Sequence, residues 1–394
     1  MSNLNHNPII KNIPLKDIKP YSNNPRKKQN ITKVVNSIKE FGFQQPIVVD
    51  KKNIIIVGHS RYEASKELGL DKVPVIIADL SPVKAKAYRI ADNRINQDSE
   101  WDFSKLKLEF KDISKLDFNL DSLGFEKNEL DDLIIDEVKG FTDDDAVPDK
   151  PKKPKSKLGE IYQLGHHRVM CGDATKEEDV KKLMNSQKAD MVFTDPPYNI
   201  NYQGGTKIRE KMKNDQMNNY YEFLLSVFNN YRLLMKSGAS IYVCHADSER
   251  VNVTKSFQDA DFYFSSVIIW SKDNSTFGRQ DYFWKHEPIL YGWSKDSSHS
   301  WYGANNEETV WNIKRPSKSL KHPIMKPIEL IDRALKNSSR INNIILDLFG
   351  GSGSTLIACA KTNRNCYMME LDPIYVDVII KRWEDYTGKS SKKI

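Results

Sequence analysis

Apolar residues repeat with two different periods along this chain, and the change of period divides it. Near the start, Ile31, Val34, Val35 and Ile38 recur at helical spacing and stop near Gly42. Two strand-like runs follow, Pro46 to Asp50 and Asn53 to Val57. Gly58-His59-Ser60-Arg61 then opens a short helix that ends by Gly69, a third strand spans Val73 to Ala78, and Ser81-Pro82 starts another helix. The pattern predicts a small α+β module followed by mostly helical sequence, with no internal repeat.

Beyond residue 157, strand patterns alternate with helical ones. Strands are expected at Glu160 to Leu164, Arg168 to Cys171, Met191 to Thr194, Ser240 to Cys244, Ser266 to Trp270, Pro288 to Tyr291, Ile344 to Phe349 and Cys366 to Leu371. Helices are expected between them: one capped by Thr175 with Glu178 three residues on, one from Tyr220 to Met235, and others after Pro327, Ser352 and Pro373. Such alternation implies an α/β fold with a doubly wound, mainly parallel sheet, whose ligands sit at the carboxyl ends of strands.

Between the two patterns lies Phe141 to Lys157. Three aspartates, Asp143 to Asp145, give way to Pro148, Pro151 and Pro154 interleaved with lysines. That composition predicts an extended, solvated tether. The division expected is therefore 1–140, a linker 141–157, and 158–394. A length of 394 residues suits two or three domains.

Charge adds a mild hint. Sixty basic against 53 acidic residues leave a formal charge of +7, which favours a polyanionic partner without requiring one. The four cysteines, Cys171, Cys244, Cys359 and Cys366, show no CxxC or Cys/His spacing, so no metal site is expected and the thiols read as buried and reduced. The first eleven residues have no apolar signal core, and nowhere do about 18 apolar residues run together. A soluble, cytoplasmic protein is expected.

The chemistry concentrates in two places. Asp195-Pro196-Pro197-Tyr198 ends the apolar run Met191-Val192-Phe193. The lone pair of an aromatic amine is delocalised into its ring, so an enzyme that methylates it must hold the amino hydrogens with acceptors; the Asp195 carboxylate and the Pro196 carbonyl qualify. The paired prolines stiffen the turn, and Tyr198 offers a face for stacking an extruded base. Far downstream, Phe349-Gly350-Gly351-Ser352-Gly353-Ser354 follows a strand, as a cradle for a nucleoside-containing cofactor does. A phosphate-binding P-loop needs Lys before Ser/Thr, which this loop lacks, and Leu356 stands where a dinucleotide fingerprint wants its third glycine. Glu370 closes the next strand, where an acid accepts bonds from ribose hydroxyls.

At these residues the sequence resembles the S-adenosylmethionine-dependent DNA amino-methyltransferases, in which Asp-Pro-Pro-Tyr is the catalytic motif and Phe-x-Gly-x-Gly the cofactor motif. The catalytic motif coming first marks the permuted, beta-type order. The resemblance covers about residues 157 to 388 and implies a Rossmann-like methyltransferase fold. It assigns catalysis to Asp195, Pro196, Pro197 and Tyr198, and cofactor binding to Phe349, Gly350, Gly351, Gly353 and Glu370. Cys171-Gly172-Asp173 and His322-Pro323-Ile324-Met325-Lys326-Pro327 also look like family segments, which adds Asp173 and Lys326 as cofactor contacts. In the family, an aspartate opening the tetrad usually accompanies adenine N6 as the target; cytosine N4 is the near alternative. Cytosine C5 chemistry needs a nucleophilic cysteine, typically after proline, and no cysteine here follows proline.

Double-stranded DNA is the expected partner, and a partner restriction nuclease is compatible with this class. Two stretches are candidates for reading it: Asn199 to Asn219, with Lys207, Arg209, Lys211 and Lys213 around Gly204-Gly205, and Lys272 to Lys321, where Arg279, Lys285, Lys314, Arg315 and Lys318 interleave with Phe277, Tyr282, Trp284, Trp301 and Trp311. The front module, through Gly42-Phe43-Gln44-Gln45-Pro46-Ile47 and Gly58-His59-Ser60-Arg61-Tyr62-Glu63-Ala64, is similar to the ParB/sulfiredoxin-like nucleotide-binding fold over about residues 8 to 98. That resemblance implies a nucleoside triphosphate at Gly58, His59 and Arg61; a homodimer is a further candidate assembly, which the sequence does not decide. Many partition proteins carry a second arginine where Ser60 stands, so a scaffold role is equally open. The rival of a different class is a nucleotide-operated DNA-binding protein with an inactive methyltransferase half.

Overall fold

A computed structural model describes residues 9–22, 31–95, 103–116, 118, 120–125, 127–199, 219–276, 281–304, 306–316 and 325–394. The chain divides into two compact units, Met1–Ile135 and Asp136–Ile394.

The first unit contains β1 (Ile10–Pro14), α1 (Ile31–Phe41), β2 (Ile47–Val49), β3 (Ile55–Val57), α2 (His59–Glu67), β4 (Lys72–Ile77), α3 (Pro82–Ile95), α4 (Phe103–Ser114) and α5 (Lys127–Ile134). Its four strands lie in the order β1-β4-β2-β3. Alternate residues of the strands, Ile47, Val49, Val73 and Val75, turn inward onto Ile18 and Ile55. Strand β1 is not among the strands expected from the sequence because it is an edge strand whose first three residues are exposed, leaving no alternation to read. Helices α4 and α5 bury a separate small cluster around Phe110 and Leu130.

The second unit contains β5 (Ile161–Leu164), β6 (His167–Cys171), α6 (Glu177–Met184), β7 (Ala189–Thr194), α7 (Tyr220–Leu234), β8 (Met235–Cys244), α8 (Arg250–Asp259), β9 (Phe262–Thr276), β10 (Trp284–Ser294), β11 (Val310–Asn312), α9 (Ile328–Ser338), β12 (Ile344–Asp347), α10 (Ser354–Lys361), β13 (Asn365–Glu370), α11 (Pro373–Thr387) and β14 (Lys392–Lys393). The ten strands form one sheet, ordered β11-β9-β10-β8-β7-β12-β13-β6-β5-β14. Its centre, β8-β7-β12-β13-β6, is parallel throughout. Successive side chains of β7 feed opposite layers, Met191 and Phe193 into one core and Val192 into the other. Both faces are therefore covered, as the alternating pattern requires.

Three local expectations change. Strands β9 and β10 run well beyond the short segments expected, because they pair with each other as an antiparallel hairpin whose ladder extends past the apolar residues. Thr175 does not cap α6: its amide and hydroxyl both donate to Asp173 Oδ1, at 3.0 and 2.8 Å, and the helix starts two residues later.

The third change is the expected tether at 141–157. It belongs to the second unit and packs there as a strap. The Phe141 amide donates to the Tyr386 carbonyl, the amides of Lys155 and Ser156 donate to Asp377, and Lys361 pairs with Asp144 at 2.9 Å. Its acidic residues meet cations of α10 and α11, partners that composition cannot reveal.

Candidate active site

The carboxyl ends of β7, β12, β13 and β6 stand side by side in the sheet, and each carries one of the motifs. Asp195 to Tyr198 follows β7, the glycine loop follows β12, Glu370 ends β13, and Asp173 lies just past β6. Parallel strands emerge on one edge, so a single crevice gathers residues almost two hundred positions apart.

Asp195 is held by a buried charge cluster. Its Oδ2 accepts from Lys326 Nζ at 2.8 Å, while its Oδ1 is buried and has no hydrogen-bond partner among the described residues. Lys326 also reaches Glu287 Oε2 at 3.3 Å, and Lys272 pairs with Glu287 Oε1. Tyr198 donates its hydroxyl to Glu287 Oε2 at 3.3 Å, and Lys326 Nζ lies 5.1 Å from the centre of the Tyr198 ring. Burial raises the Glu287 carboxyl, but the Lys326 and Lys272 ammonium groups outweigh it and hold it down at about 2. Burial lowers the Lys326 ammonium, yet Asp195 and Glu287 more than compensate and keep it charged. Burial and the same two carboxylates push the Tyr198 hydroxyl far up, so it stays a donor.

The rest of the tetrad is fixed from behind. Tyr220 donates to the Pro197 carbonyl at 2.6 Å, which occupies that acceptor and leaves the Pro196 carbonyl as the tetrad's other candidate acceptor. The Tyr220 ring stacks on Phe223, which packs on Phe349 of the glycine loop at 6.0 Å. One aromatic run thus ties the two motifs together. Tyr231 adds a second tie, donating to Thr194 Oγ1 at 2.7 Å and accepting from the Leu348 amide at 2.9 Å.

The glycine loop is shaped by both crowding and openness. A Cβ on Gly350 would lie 2.8 Å from Met368 side-chain atoms and 2.9 Å from Ile379, so no larger residue fits there. Gly351 has φ +51° and nothing within 4 Å of its missing side chain, which makes its outer face an open cradle. Glu370 closes it: Oε2 accepts from the Gly351 amide at 2.8 Å and Oε1 from the Asp372 amide at 2.9 Å. Burial raises the Glu370 carboxyl to about 6 and the buried Asp347 carboxyl, bonded to Thr355, to about 7.

Asp173 sits beside Glu370, where its Oδ1 orders the turn into α6. The resemblance places Lys326 with the cofactor; in the structure its ammonium group pairs with the Asp195 carboxylate, across 131 positions of sequence. Glu287 and Lys272 fall within the second candidate DNA-reading stretch, but no motif surrounds them and the sequence singles out neither. The basic loop of residues 200–218 lies outside the described residues, as do Phe277, Arg279, Lys318 and most of the histidine-proline segment before Met325. Of the second recognition stretch, Tyr282, Phe283 and Trp284 are exposed at the start of β10, three residues before Glu287.

In the first unit, Gly58 has φ +104° and opens α2. Arg61 donates to Gln45. The His59 ring is committed elsewhere, its Nε2 accepting from the Tyr21 amide at 3.2 Å, and burial together with the Arg89 charge lowers its pKa. That nitrogen of the ring therefore faces backbone. Among the described residues, no helix is long and apolar enough to cross a membrane, and no group of three His, Cys, Asp or Glu side chains is placed to hold a metal.

Comparison with known families places each part. Residues 189–382 match the DNA methylase family, residues 1–94 the ParB N-terminal domain, and residues 104–158 the ParB-methyltransferase HTH domain. The type II methyltransferase M2.MboI of Moraxella bovis is 25% identical over 233 residues, covering 53% of this chain and 85% of its own. The DNA adenine methyltransferase YhdJ of Escherichia coli (strain K12) is 23% identical over 261 residues, 57% of this chain and 85% of its own. Among solved structures, the M1.HpyAVI–SAM complex aligns with a TM-score of 0.43 at 23% identity, over 54% of this chain and 98% of that one.

Proposed function

Because residues 189–382 belong to the DNA methylases and residues 1–94 to the ParB N-terminal domains, we propose that this chain transfers a methyl group from S-adenosylmethionine to the N6 amino group of adenine, flipped out of a specific DNA sequence. The observation that carries the reading is Asp195 Oδ1, a buried acceptor without a partner among the described residues, beside a glycine cradle. Burying an acceptor unpaired costs about 1–3 kcal/mol, which an incoming amino hydrogen offsets.

The residues fit the cofactor. Glu370 accepts from the Gly351 and Asp372 amides, and a carboxylate offers roughly four acceptor sites, so room is left there for ribose hydroxyls. The open face of Gly351 leaves room for the nucleoside against the backbone. Bound S-adenosylmethionine supplies an electrophilic methyl group. Asp195 Oδ1 and the Pro196 carbonyl accept hydrogen bonds from the two amino N–H groups, turning the nitrogen lone pair out of the ring plane, and the methylated nitrogen then loses one of those protons to solvent. Tyr198 stacks on the base, its angle set by Glu287. Tyr282, Phe283 and Trp284, exposed near Lys285, form the part of the recognition stretch that reaches the duplex. Adenine is favoured over cytosine by the aspartate that opens the tetrad and by the similarity to a named adenine methyltransferase.

In the front module, the helix start at Gly58 with Arg61 supports an anion such as a triphosphate. The test of the main reading is incubation of the full chain with unmethylated plasmid DNA and labelled S-adenosylmethionine, followed by digestion to nucleosides. N6-methyladenine is expected; N4-methylcytosine would move the target base, and no incorporation would overturn the reading.

A further inference from the structure

Glu287 lies on β10, outside every motif, yet it is the centre of the charge cluster. Its Oε1 pairs with Lys272, and its Oε2 accepts from both Tyr198 and Lys326. Lys326 in turn occupies only one oxygen of Asp195. Two carboxylates and two ammonium groups balance, so the cluster is neutral and its members hold one another in place.

Geometry follows from that balance. Lys326 pins Asp195 Oδ2 and leaves Oδ1 as the acceptor, and it stays there because Glu287 holds its other side. The same Glu287 oxygen fixes the Tyr198 hydroxyl and hence the tilt of the ring. Resting on the methyl-transfer reading above, we propose that Glu287 is a positioning residue that sets the Asp195 carboxylate, through Lys326, and the stacking plane of Tyr198 in a single arrangement. It touches neither the methyl donor nor the amine itself. Without it, Lys326 has one carboxylate left to bind, draws closer to Asp195 and competes with the amine for Oδ1, while Tyr198 loses its tether. Against burial, the Lys326 and Lys272 ammonium groups hold the Glu287 carboxyl down, and Asp195 and Glu287 keep Lys326 charged.

The test compares Glu287→Gln and the double variant Glu287→Gln/Lys272→Met with the wild-type full chain, on unmethylated plasmid DNA. Removing Glu287 alone leaves an excess positive charge in a buried place, so the single variant is expected to melt at a lower temperature. The double variant restores neutrality and is expected to recover the melting temperature. Turnover should remain about 100-fold below wild type in both, the size of effect that a misplacement of about 1 Å produces. Cofactor affinity by calorimetry should be unchanged in both, because the glycine loop and Glu370 are untouched. Wild-type turnover in either variant would overturn the proposal, and so would recovery of turnover together with stability in the double variant. A wild-type chain that transfers no methyl group would overturn the reading of the site, and the assignment of Glu287 would fall with it.

Discussion

Asp145 Oδ1 accepts the backbone amide of Ile328 at 3.0 Å, two residues beyond Lys326. The neighbouring Asp144 offers its carbonyl to Arg382, whose guanidinium also donates to the Ser352 carbonyl inside the glycine loop at 2.9 Å. The strap before the methylase domain therefore braces both halves of the site from behind.

A cut at about residue 155 removes those braces, and a cut at 136 keeps them. The longer fragment, 136–394, is expected to fold and bind cofactor as the full chain does. The shorter one should be less stable by about 1–3 kcal/mol for each buried donor left unpaired, Arg382 foremost, and should bind cofactor more weakly. Thermal melts and calorimetry on the two fragments decide it; identical curves would show the strap to be a passive tether after all.

Asp195→Ala should leave cofactor binding nearly intact and lower turnover by about 10²–10³-fold, the usual loss for one preorganised polar contact to the transition state. Turnover near wild type would remove Asp195 from the chemistry.

Glu370 makes cofactor affinity depend on pH, and the sign is fixed by which form binds. Ribose hydroxyls donate to the carboxylate, and burial holds that group at about 6 in the cofactor-free protein, above its ordinary value. Affinity is therefore full above about pH 6 and falls about tenfold per pH unit below it, because binding there must release the proton from Glu370. Glu370→Gln should lose that slope and about 1–3 kcal/mol of affinity at neutral pH. Asp347, raised by burial to about 7, is a second source of slope near the cradle. A wild-type dissociation constant that stays flat on acidification, measured by calorimetry, would speak against the role of Glu370.

The exposed aromatics at the start of β10 should act on DNA and not on the cofactor. Tyr282→Ala and Trp284→Ala are each expected to weaken DNA binding by about 1–3 kcal/mol if they stack on bases, with cofactor affinity unaltered. Fluorescence anisotropy with labelled duplex reads this directly, and unchanged binding in both variants would move the recognition surface elsewhere.

The apolar run into Asp195, the glycines at 350, 351 and 353 and the acid at 370 are legible in the amino-acid sequence by itself, because they are local signals: each depends on a strand end and the residues beside it, and local pattern encodes those. The central strands are legible for the same reason, since a strand buried on both faces is a short continuous apolar run. What only the tertiary structure decides is which charges meet. Lys326 and Asp195 are 131 positions apart, Glu287 and Lys272 belong to a hairpin, and Arg382 finds its partner in a segment that reads as tether. A lysine or a glutamate carries the same weight in a sequence whether it is solvated or paired, and pairing is set by strand order and register, which no single stretch of the chain contains.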